Sequence, residues 1–426
     1  MVAHPPSFAW FISAAGNLAA VAAVAGIVVM VALGVRVSPI EQKIGLDRVY
    51  RYHKVLGVAV VLLFIGHGLL RTLAFSLRNG GKWDWSFLFY LSPKRPALLL
   101  GHLAIYALVI VAATALAGRH RIGFRSWKSI HLLVYPIVAV AFAHVLLESS
   151  RDLASPKSFG ILALLAIPLS GLYAYRISYV IRREREGTWL VSHLVRETAD
   201  TTTLVISRSQ GAGKFAGRRA GQFAIIRVRE GRRWSDPHPF TISCPPGSPN
   251  LAFTIKSAGR FTSAIPSLAP GTPVLCEGPY GIFSVDFASE PDVVMICGGV
   301  GITPFLSSIR HAVAIGSKTH IILLCGNREF DDIIAGEELR AAAERIPLHI
   351  VHVLSRPPHD GLPSSSEKII FERGHIDGDI LKKHIRSAEA SFYLCGPQKM
   401  QEDVLLALEK SLLIPRAAVK RELFFY

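Results

Sequence analysis

Four histidines in two apolar segments have the spacing of paired metal ligands. His53 and His67 lie fourteen residues apart in RYHKVLGVAVVLLFIGHGLLR, and His131 and His144 lie thirteen apart in HLLVYPIVAVAFAH. At 1.5 Å per residue, each pair is separated by about 20 Å along a helix, which places one imidazole near either side of a ~30 Å hydrocarbon core. An unpaired polar group costs several kcal/mol in such a core, so the pattern favours histidines that act as ligands.

The four histidines form two levels because both helices are expected to run outward. Two imidazoles from facing helices at one depth are suited to be the axial ligands of a six-coordinate haem iron. A single histidine at a helix end is more often a packing or interfacial residue, which is how we interpret His102 and His120, since neither has a partner at the right spacing. The predicted ligands are His53 with His131 at the inner level and His67 with His144 at the outer level, where Gly66 and Gly68 leave room for a porphyrin.

The second histidine segment differs from the first by one residue in its spacing. Fourteen residues return a helix to nearly the same face, whereas thirteen fall about a third of a turn away from it. Pro136 lies between His131 and His144 and predicts a kink in that helix, which alters the relative phase of the two rings.

Membrane helices must position these histidines, and the first part of the chain contains candidates for them. Five apolar stretches lie before residue 182, each near the ~20 residues that span a bilayer core. They cover residues 8–35, 53–77, 97–118, 127–147 and 159–181. We expect a five-helix transmembrane haem-binding bundle over residues 1–184. Its first stretch is expected to be a retained helix, because no basic region or cleavage site of a signal peptide accompanies it.

The charge of the 426-residue chain also indicates a membrane protein. Half of the residues are hydrophobic, yet the formal net charge is +16, as expected if basic residues flank membrane segments. Three connections carry basic clusters: Arg36, Lys43, Arg48, Arg51 and Lys54; Arg119, Arg121, Arg125 and Lys128; Arg182, Arg183 and Arg185. Although residues 71–97 also carry basic side chains, the pattern predicts a multi-pass protein of the cell inner (plasma) membrane with a cytosolic C-terminal half. The charge requires no nucleic-acid partner.

The second half of the chain has the pattern of two soluble domains. Residues 185–288 contain short alternating segments punctuated by Gly and Pro, such as TTTLVISR and GQFAIIRV, which predicts an antiparallel β-barrel. Residues 289–426 alternate apolar strands such as DVVMICGG with helical runs, which predicts a parallel α/β domain. All five cysteines follow residue 240 without C-x-x-C spacing, so neither a disulfide framework nor a zinc site is expected.

Two loops in this half have the composition of nucleotide-binding turns. HPFTIS (residues 238–243) ends a predicted strand, and the following FTIKSAGRFT contains Gly259 and Thr262, which open a predicted helix towards a phosphate. GGVGITPF (residues 298–305) lies between an apolar strand and a helix, where glycines let backbone amides approach a pyrophosphate. A glycine cluster alone also occurs in ordinary tight turns. Its position here, together with CGP at residues 395–397, favours a dinucleotide site.

LDRVYRYHK at residues 46–54, the paired histidines, HPFT, GGVGITPF and CGP together resemble the ferric reductase and NADPH oxidase superfamily of transmembrane flavocytochromes b. The second half alone resembles the ferredoxin-NADP reductase family. The resemblance covers nearly the whole chain and implies FAD, two b-type haems and NADPH as cofactors. It implies electron transfer from cytosolic NADPH to an acceptor on the outer face, either ferric chelate or molecular oxygen. Oxidases commonly have six helices where five are visible here. The absence of an EF-hand pattern and of an extended cytosolic insertion predicts neither calcium control nor an obligate regulatory subunit.

The resemblance also implies roles for individual residues. His238, an arginine in soluble relatives, would face the FAD diphosphate, Phe240 would pack against the flavin, and Thr241 would hydrogen-bond near its reactive nitrogen. The implied FAD contacts are His238, Pro239, Phe240, Thr241, Ser243, Lys256, Gly259 and Thr262, with Tyr426 stacked on the flavin. The implied NADPH contacts are Gly298, Gly299, Gly301, Thr303 and Pro304 at the dinucleotide loop, Cys395, Gly396 and Pro397 beside the nicotinamide, and Ser355 and Arg356 at the 2′-phosphate. The implied catalytic residues are Thr241, Cys395 and Tyr426.

Several alternatives stay open at the level of sequence. Tyr426 also fits a last strand that packs on the core, and Arg356 an ordinary exposed arginine at a strand end. Arg71 lies one turn beyond the outer histidine of the first pair, where it either attracts an anionic acceptor or binds a haem propionate or a lipid headgroup. Only Ser13 and Asn17 stand where oxidases usually have another arginine, which favours ferric chelates over oxygen. The rival functions are a haem-containing membrane anchor or electron-carrier subunit and a haem-free flavin reductase.

Overall fold

The computed structural model of the chain describes residues 7–35, 44–79, 95–118, 122–149, 166–178, 181, 188–209, 211, 213–358 and 361–422. The chain divides into two compact units, Met1–Arg185 and Glu186–Tyr426.

The described part of the first unit is helical. Its helices are α1 (Phe8–Gly34), α2 (Leu46–Arg78), α3 (Pro96–Ala113, continued by a π-helical turn over Thr114–Gly118), α4 (Phe124–Leu132), α5 (Val134–Ser149) and α6 (166–178). Within the described ranges, four segments are long and apolar enough to span a membrane: Phe8–Gly34, Arg48–Arg78, Pro96–Leu116 and Ser126–Glu148. The fifth predicted segment is helical over 166–178 and its beginning lies outside the described residues, so the five-helix count stays a prediction.

Apolar sequence explains why these segments are helices. The 27 residues of α1 contain no charged side chain and span about 40 Å at 1.5 Å per residue, which is enough to cross the hydrocarbon core. Pro96 occupies the first turn of α3, where its missing N–H leaves no helical hydrogen bond unmade. The helices share an apolar core formed by Ile27, Met30, Val31, Val35, Val60, Val138 and Leu169.

The second histidine segment consists of two helices. A turn at Leu133 separates α4 from α5, so His131 and His144 lie on different helices. Pro136 lies in the first turn of α5, and its ring would clash with the carbonyl of Leu132 in a continuous helix. The kink that this proline predicts is therefore present as a helix break.

The first sheet of the second unit is antiparallel. Its strands are β1 (Trp189–Arg196), β2 (Thr201–Ser207), β3 (Phe223–Glu230), β4 (Arg233–Trp234), β5 (His238–Thr241), β6 (Leu251–Lys256) and β7 (Pro273–Tyr280). They follow the order β4-β3-β7-β1-β2-β6, and β5 pairs with β3. The Ser243 N–H donates to the Ala252 carbonyl of β6 at 2.8 Å. One such bond does not make a strand ladder, so closure of the barrel stays a prediction.

The second sheet is parallel and has the order β11-β10-β9-β8-β12-β13. Its strands are β8 (Asp292–Gly298), β9 (His320–Asn327), β10 (Leu348–Leu354), β11 (Ile369–Arg373), β12 (Ser391–Cys395) and β13 (Val419–Glu422). The helices of this unit are α7 (Arg260–Ala264), α8 (Thr303–Ile315), α9 (Gly336–Arg345), α10 (Gly378–His384) and α11 (Gln398–Leu412). The strand order reverses between β8 and β12, and ligands bind at the carboxyl ends of strands at such a switch point.

Candidate functional site

Glycines allow the loops after β8 and β12 to pack against each other at the switch point. A Cβ on Gly301 would lie 2.4 Å from the carbonyl oxygen of Cys395, and a Cβ on Gly396 would lie 3.1 Å from the backbone nitrogen of Gly298. Gly299 has a φ of 51°, which glycine adopts without strain. The loop leads directly into α8, and a glycine-rich strand-to-helix turn of this kind is suited to bind a pyrophosphate.

A cleft of about 500 Å³ opens beside this loop. Its walls contain many of the residues that the sequence assigns to nucleotide binding. These are Lys256, Gly298, Gly299, Gly301, Ser355, Gly396 and Pro397. The structure therefore brings the dinucleotide loop, the CGP segment and the end of β10 together in one site.

Other predicted residues do not line this cleft. Thr303 and Pro304 are buried at the start of α8, where Thr303 Oγ1 donates to the Val300 carbonyl at 3.1 Å. Arg356 is exposed, and its backbone N–H donates to the Arg328 carbonyl at 2.7 Å. Cys395 is fully buried, and burial raises the pKa of its thiol well above the ordinary value, so the thiol stays protonated. Cys395 is therefore a neutral thiol that lies behind the wall of the cleft.

The cleft also contains acidic, basic and histidine side chains that sequence reasoning missed. They are Asp200, Arg328, Asp332, His375, Lys399 and Asp403. Arg328 directly follows β9, and the carboxyl ends of parallel strands share one edge of the sheet, so its position in the sequence was an available signal. Asp200 carried no such signal, because it reaches the cleft from the antiparallel sheet.

The HPFTIS loop presents a stack of three rings. The His238 ring stacks on Phe261 with centroids 3.9 Å apart and 13° between planes, and Phe240 lies 6.2 Å from Phe261 at 18°. Burial lowers the pKa of His238 even though Asp236 and Glu230 act to raise it, so the imidazole is neutral near pH 7. A neutral ring offers an N–H to a diphosphate instead of a positive charge. Phe261 lies in the FTIKSAGRFT segment, whose sequence pattern alone does not indicate a place in this stack.

The second predicted FAD segment has its own local hydrogen bonds. Thr262 Oγ1 accepts hydrogen bonds from the backbone N–H groups of Ala258 at 2.9 Å and Gly259 at 3.0 Å. Thr262 therefore orders the turn that precedes α7. The Lys256 ammonium pairs with Asp200 at 2.9 Å, and both residues line the cleft with the dinucleotide loop.

The first unit brings the two inner histidines together. The rings of His53 on α2 and His131 on α4 have centroids 6.2 Å apart and an angle of 65° between planes. Two imidazoles on opposite sides of one metal ion, each at a metal–nitrogen distance of about 2 Å, have ring centres roughly 6 Å apart. The observed separation therefore fits a bis-histidine iron site.

Backbone carbonyls orient three of the four histidines. The Nδ1–H of His53 donates to the Met30 carbonyl at 3.1 Å. The Nδ1–H of His67 donates to the Gly16 carbonyl at 2.8 Å, and that of His144 donates to the Ala97 carbonyl at 2.7 Å. Such a bond fixes the tautomer and leaves Nε2 free to bind a metal. His131 differs, because its buried Nδ1 has no hydrogen-bond partner within the described ranges, and its ring stacks on Trp127 with centroids 5.1 Å apart.

Glycines lie beside both outer histidines. A Cβ on Gly66, next to His67, would meet no atom within 4 Å. A Cβ on Gly101 of α3 would lie 2.9 Å from the ring of His144, so only glycine lets this ring take its position. The donor set and the open space next to His67 both fit a haem.

Arg71 is held among polar groups on the same side as His67. Its Nη1 donates to Ser13 Oγ at 2.8 Å and to Asn17 Oδ1 at 3.5 Å. Its Nη2 lies 4.0 Å from Glu148 Oε1, and the Arg71 side chain is 34% exposed. Ser13 and Asn17, which the sequence offers in place of a second arginine, are therefore direct partners of Arg71.

Some predicted residues lie outside the described part of the chain. Tyr426, proposed as the flavin-stacking residue, is one of them. The same applies to basic residues used to predict the orientation: Arg36, Lys43, Arg119, Arg121, Arg182, Arg183 and Arg185.

Comparison with known proteins matches both units. The family model for the ferric reductase like transmembrane component matches residues 19–142, and that for the oxidoreductase NAD-binding domain matches residues 295–405. Flavohemoprotein of Bacillus subtilis strain 168 is 24% identical over 62% of this chain and 67% of its own length. Ferric reduction oxidase 2 of Arabidopsis thaliana is 26% identical over 66% of this chain, but the match spans only 38% of that protein. Ferredoxin--NADP reductase B of Sorangium cellulosum strain So ce56 is 31% identical over 42% of this chain and 74% of its own length.

Proposed function

The chain belongs to the ferric reductase and NADPH oxidase superfamily, with a second half of the ferredoxin-NADP reductase type, and we propose that it passes electrons from cytosolic NADPH through FAD and two b-type haems to an acceptor on the outer face. It is a multi-pass membrane oxidoreductase that binds FAD and NAD(P)H. The observation that carries the proposal is the pairing of His53 with His131, whose rings lie 6.2 Å apart, with His67 on the same helix as His53 and His144 on the helix that follows His131.

The proposed arrangement has three parts. Residues 1–184 form a five-helix haem-binding bundle in the inner (plasma) membrane, residues 185–288 form the FAD-binding β-barrel, and residues 289–426 form the NADPH-binding domain. The outward direction of α2 and the cytosolic position of the second half follow from the basic residues at membrane ends. This orientation puts the NADPH site on the side of the membrane where NADPH is present.

The histidines would hold the haems at two depths. His53 and His131 bind the inner haem iron, and His67 and His144 bind the outer one. Bound haems supply one-electron carriers within the membrane. The hydrogen bonds to the carbonyls of Met30, Gly16 and Ala97 would leave Nε2 of three histidines available to a haem iron, and the Trp127 ring would support the fourth.

The second unit would hold the flavin and the nicotinamide nucleotide. Bound FAD supplies the conversion of a two-electron hydride donor into single electrons. Neutral His238 donates to the diphosphate, Phe240 and Phe261 provide an apolar wall, and Thr241 hydrogen-bonds near the reactive nitrogen. The implied FAD contacts of Pro239, Ser243, Lys256, Gly259 and Thr262, and the flavin stack of Tyr426, remain part of this proposal.

The dinucleotide loop and the ends of β9 and β10 would bind NADPH. Gly298, Gly299 and Gly301 let the backbone approach the pyrophosphate, while Thr303 and Pro304 start the helix that follows. Gly396, Pro397 and the neutral Cys395 lie beside the nicotinamide. Ser355 and Arg356 contact the 2′-phosphate, and Ser355 already lines the cleft.

Arg71 would set the class of acceptor. The Arg71 cation, held by Ser13 and Asn17, favours anions on the outer side of the bundle, although the Glu148 carboxylate 4.0 Å away offsets part of its charge. An anionic ferric chelate such as ferric citrate gains more from this charge than neutral oxygen does. We therefore propose ferric chelate as the faster acceptor and oxygen as a slower one.

A reduced-minus-oxidised spectrum of the purified chain, with the haem content measured per chain, tests the proposal. Two bis-histidine haems per chain and their reduction by NADPH are the expected result. A chain that binds FAD but no haem would be a haem-free flavin reductase. Haem that dithionite reduces and NADPH does not would instead indicate a membrane anchor or electron-carrier subunit.

A further inference from the structure

Helix α8 begins at the dinucleotide loop and is bonded, within two turns, to the end of the HPFTIS loop. Ser307 Oγ donates to the Cys244 carbonyl at 2.9 Å, and Arg310 Nη1 donates to the Ser243 carbonyl at 2.6 Å. Residues three apart share one helix face. One face of α8 therefore holds two consecutive carbonyls, that of the last residue of the HPFTIS segment (the flavin loop) and that of the cysteine after it.

The Arg310 guanidinium is itself held in place by Glu338 of α9. Its Nε and Nη2 donate to the two carboxylate oxygens of Glu338 at 2.7 Å and 2.6 Å, a two-point geometry that fixes the plane of the guanidinium. The Arg310 side chain is only 18% exposed. Burial lowers the pKa of Arg310, but the hydrogen bonds and charge of Glu338 raise it overall, so the group stays charged. The fixed plane directs Nη1 at Ser243.

Strand β6 of the antiparallel sheet holds the same loop from its other side. The Ser243 N–H donates to the Ala252 carbonyl at 2.8 Å, and Thr254 Oγ1 donates to Ser243 Oγ at 3.1 Å. Ser243 is completely buried and lies two residues after Thr241. The end of the flavin loop is therefore clamped between β6 and α8.

We propose that Arg310, oriented by Glu338, is a positioning residue for hydride transfer that sets the separation between the flavin loop and the dinucleotide loop. The inference rests on the hydride-transfer half of the proposed function. Arg310 contacts no reacting group and acts through the Ser243 carbonyl. Because the two loops belong to different sheets, a change at this contact alters the distance between donor and acceptor, and a misplacement of about 1 Å lowers such a rate by about 100-fold.

Anaerobic stopped-flow reduction of the flavin by NADPH in the full-length protein tests this inference, since it separates the hydride step from later electron transfer. Arg310→Gln is expected to lower the limiting rate about tenfold or more while the dissociation constant for NADPH changes less than about threefold. NADPH deuterated at the transferred position is expected to give an equal or larger isotope effect, because the chemical step is the one slowed. Arg310→Lys keeps the charge and a donor and restores part of the rate, and Glu338→Gln, which keeps size but not charge, gives an intermediate loss.

Arg340→Gln and Glu337→Gln are matched controls on α9. Both side chains are exposed, and Arg340 Nε lies 3.9 Å from Glu337 Oε2. A weak surface ion pair of this kind contributes little, so both variants are expected to keep the wild-type rate of flavin reduction. The inference is overturned if Arg310→Gln and Glu338→Gln, at matched FAD content, reduce flavin as fast as these controls, because the pair then only stabilises the fold. If Arg310→Gln loses FAD, Glu338→Gln alone decides the question. If NADPH does not reduce the flavin of the wild-type protein, the proposed function fails instead.

Discussion

Gly301→Ala is a direct test of the dinucleotide loop, because all three near neighbours of the added methyl group are backbone atoms. The new Cβ would lie 2.4 Å from the Cys395 carbonyl oxygen, 2.7 Å from the Gly396 Cα and 2.8 Å from the Cys395 carbonyl carbon. Ordinary van der Waals contact begins at 3.4 Å. The loops after β8 and β12 must therefore separate by about 1 Å, and neither a rotamer change nor a flexible side chain can absorb that movement.

The expected effect follows from this displacement. Overpacking of this kind costs about 1–3 kcal/mol, and each 1.4 kcal/mol changes an equilibrium constant about tenfold. If the cost falls on the nucleotide-bound state, the KM for NADPH rises by about 5- to 150-fold. The same 1 Å displacement near the nicotinamide is expected to lower the rate of flavin reduction by up to about 100-fold.

The assay compares NADPH-driven flavin reduction, FAD content and thermal unfolding for Gly301→Ala and a control glycine variant. Gly217→Ala is the control, because a Cβ at Gly217 meets no atom within 4 Å and the position has no positive φ. We expect the control to match the wild type and Gly301→Ala to keep its FAD while losing activity with NADPH. A KM and a limiting rate within about twofold of the control would refute the close packing of the two loops as the basis of nucleotide binding.

The remaining predictions concern the haems, the donor and the acceptor. His67→Leu is expected to reduce the haem content from two to one per chain and to stop transmembrane electron transfer while flavin reduction survives; two bis-histidine haems in the purified variant would exclude His67 as a ligand. Arg356→Ala should raise the KM for NADPH about tenfold or more and leave that for NADH within about twofold. An equal change for both nucleotides would rule this role out, and an NADPH-specific effect of Arg328→Ala would assign the phosphate contact to Arg328. Arg71→Ala should slow ferric citrate reduction in proteoliposomes and leave oxygen consumption nearly unchanged; ferric reduction that superoxide dismutase abolishes would show that oxygen is the true acceptor.

Local sequence was sufficient to predict the class of protein and its main elements. Long apolar segments predict membrane helices from their length alone, and glycines between an apolar strand and a helix predict a nucleotide loop from the geometry of that turn. The predicted family, enzyme class and use of FAD and NAD(P)H are confirmed by the comparisons. These predictions succeed because each depends on residues that are close together in the chain.

The composition of the site was less predictable, because its residues come from distant segments. Asp200 and Lys256 reach the cleft from the antiparallel sheet, whereas Arg356, chosen for its place at a strand end, is exposed outside it. Phe261 joins His238 through the packing of α7 on β5 and β6, which no local pattern specifies. The roles assigned to individual residues therefore stay predictions, even where the structure brings those residues together.

Spacing along the chain predicts which histidines share a depth in the membrane, because the rise per residue of a helix is fixed. Which face each ring occupies was decided by tertiary structure. Thirteen residues leave His144 out of phase with His131 on one straight helix, and the structure divides the segment into two helices at Leu133, between these histidines. The carbonyl acceptors of the other three histidines lie 23 to 51 residues away in sequence. Only the packing of helix against helix brings such acceptors within hydrogen-bond distance, since a hydrogen bond depends on position in space and not on separation along the chain.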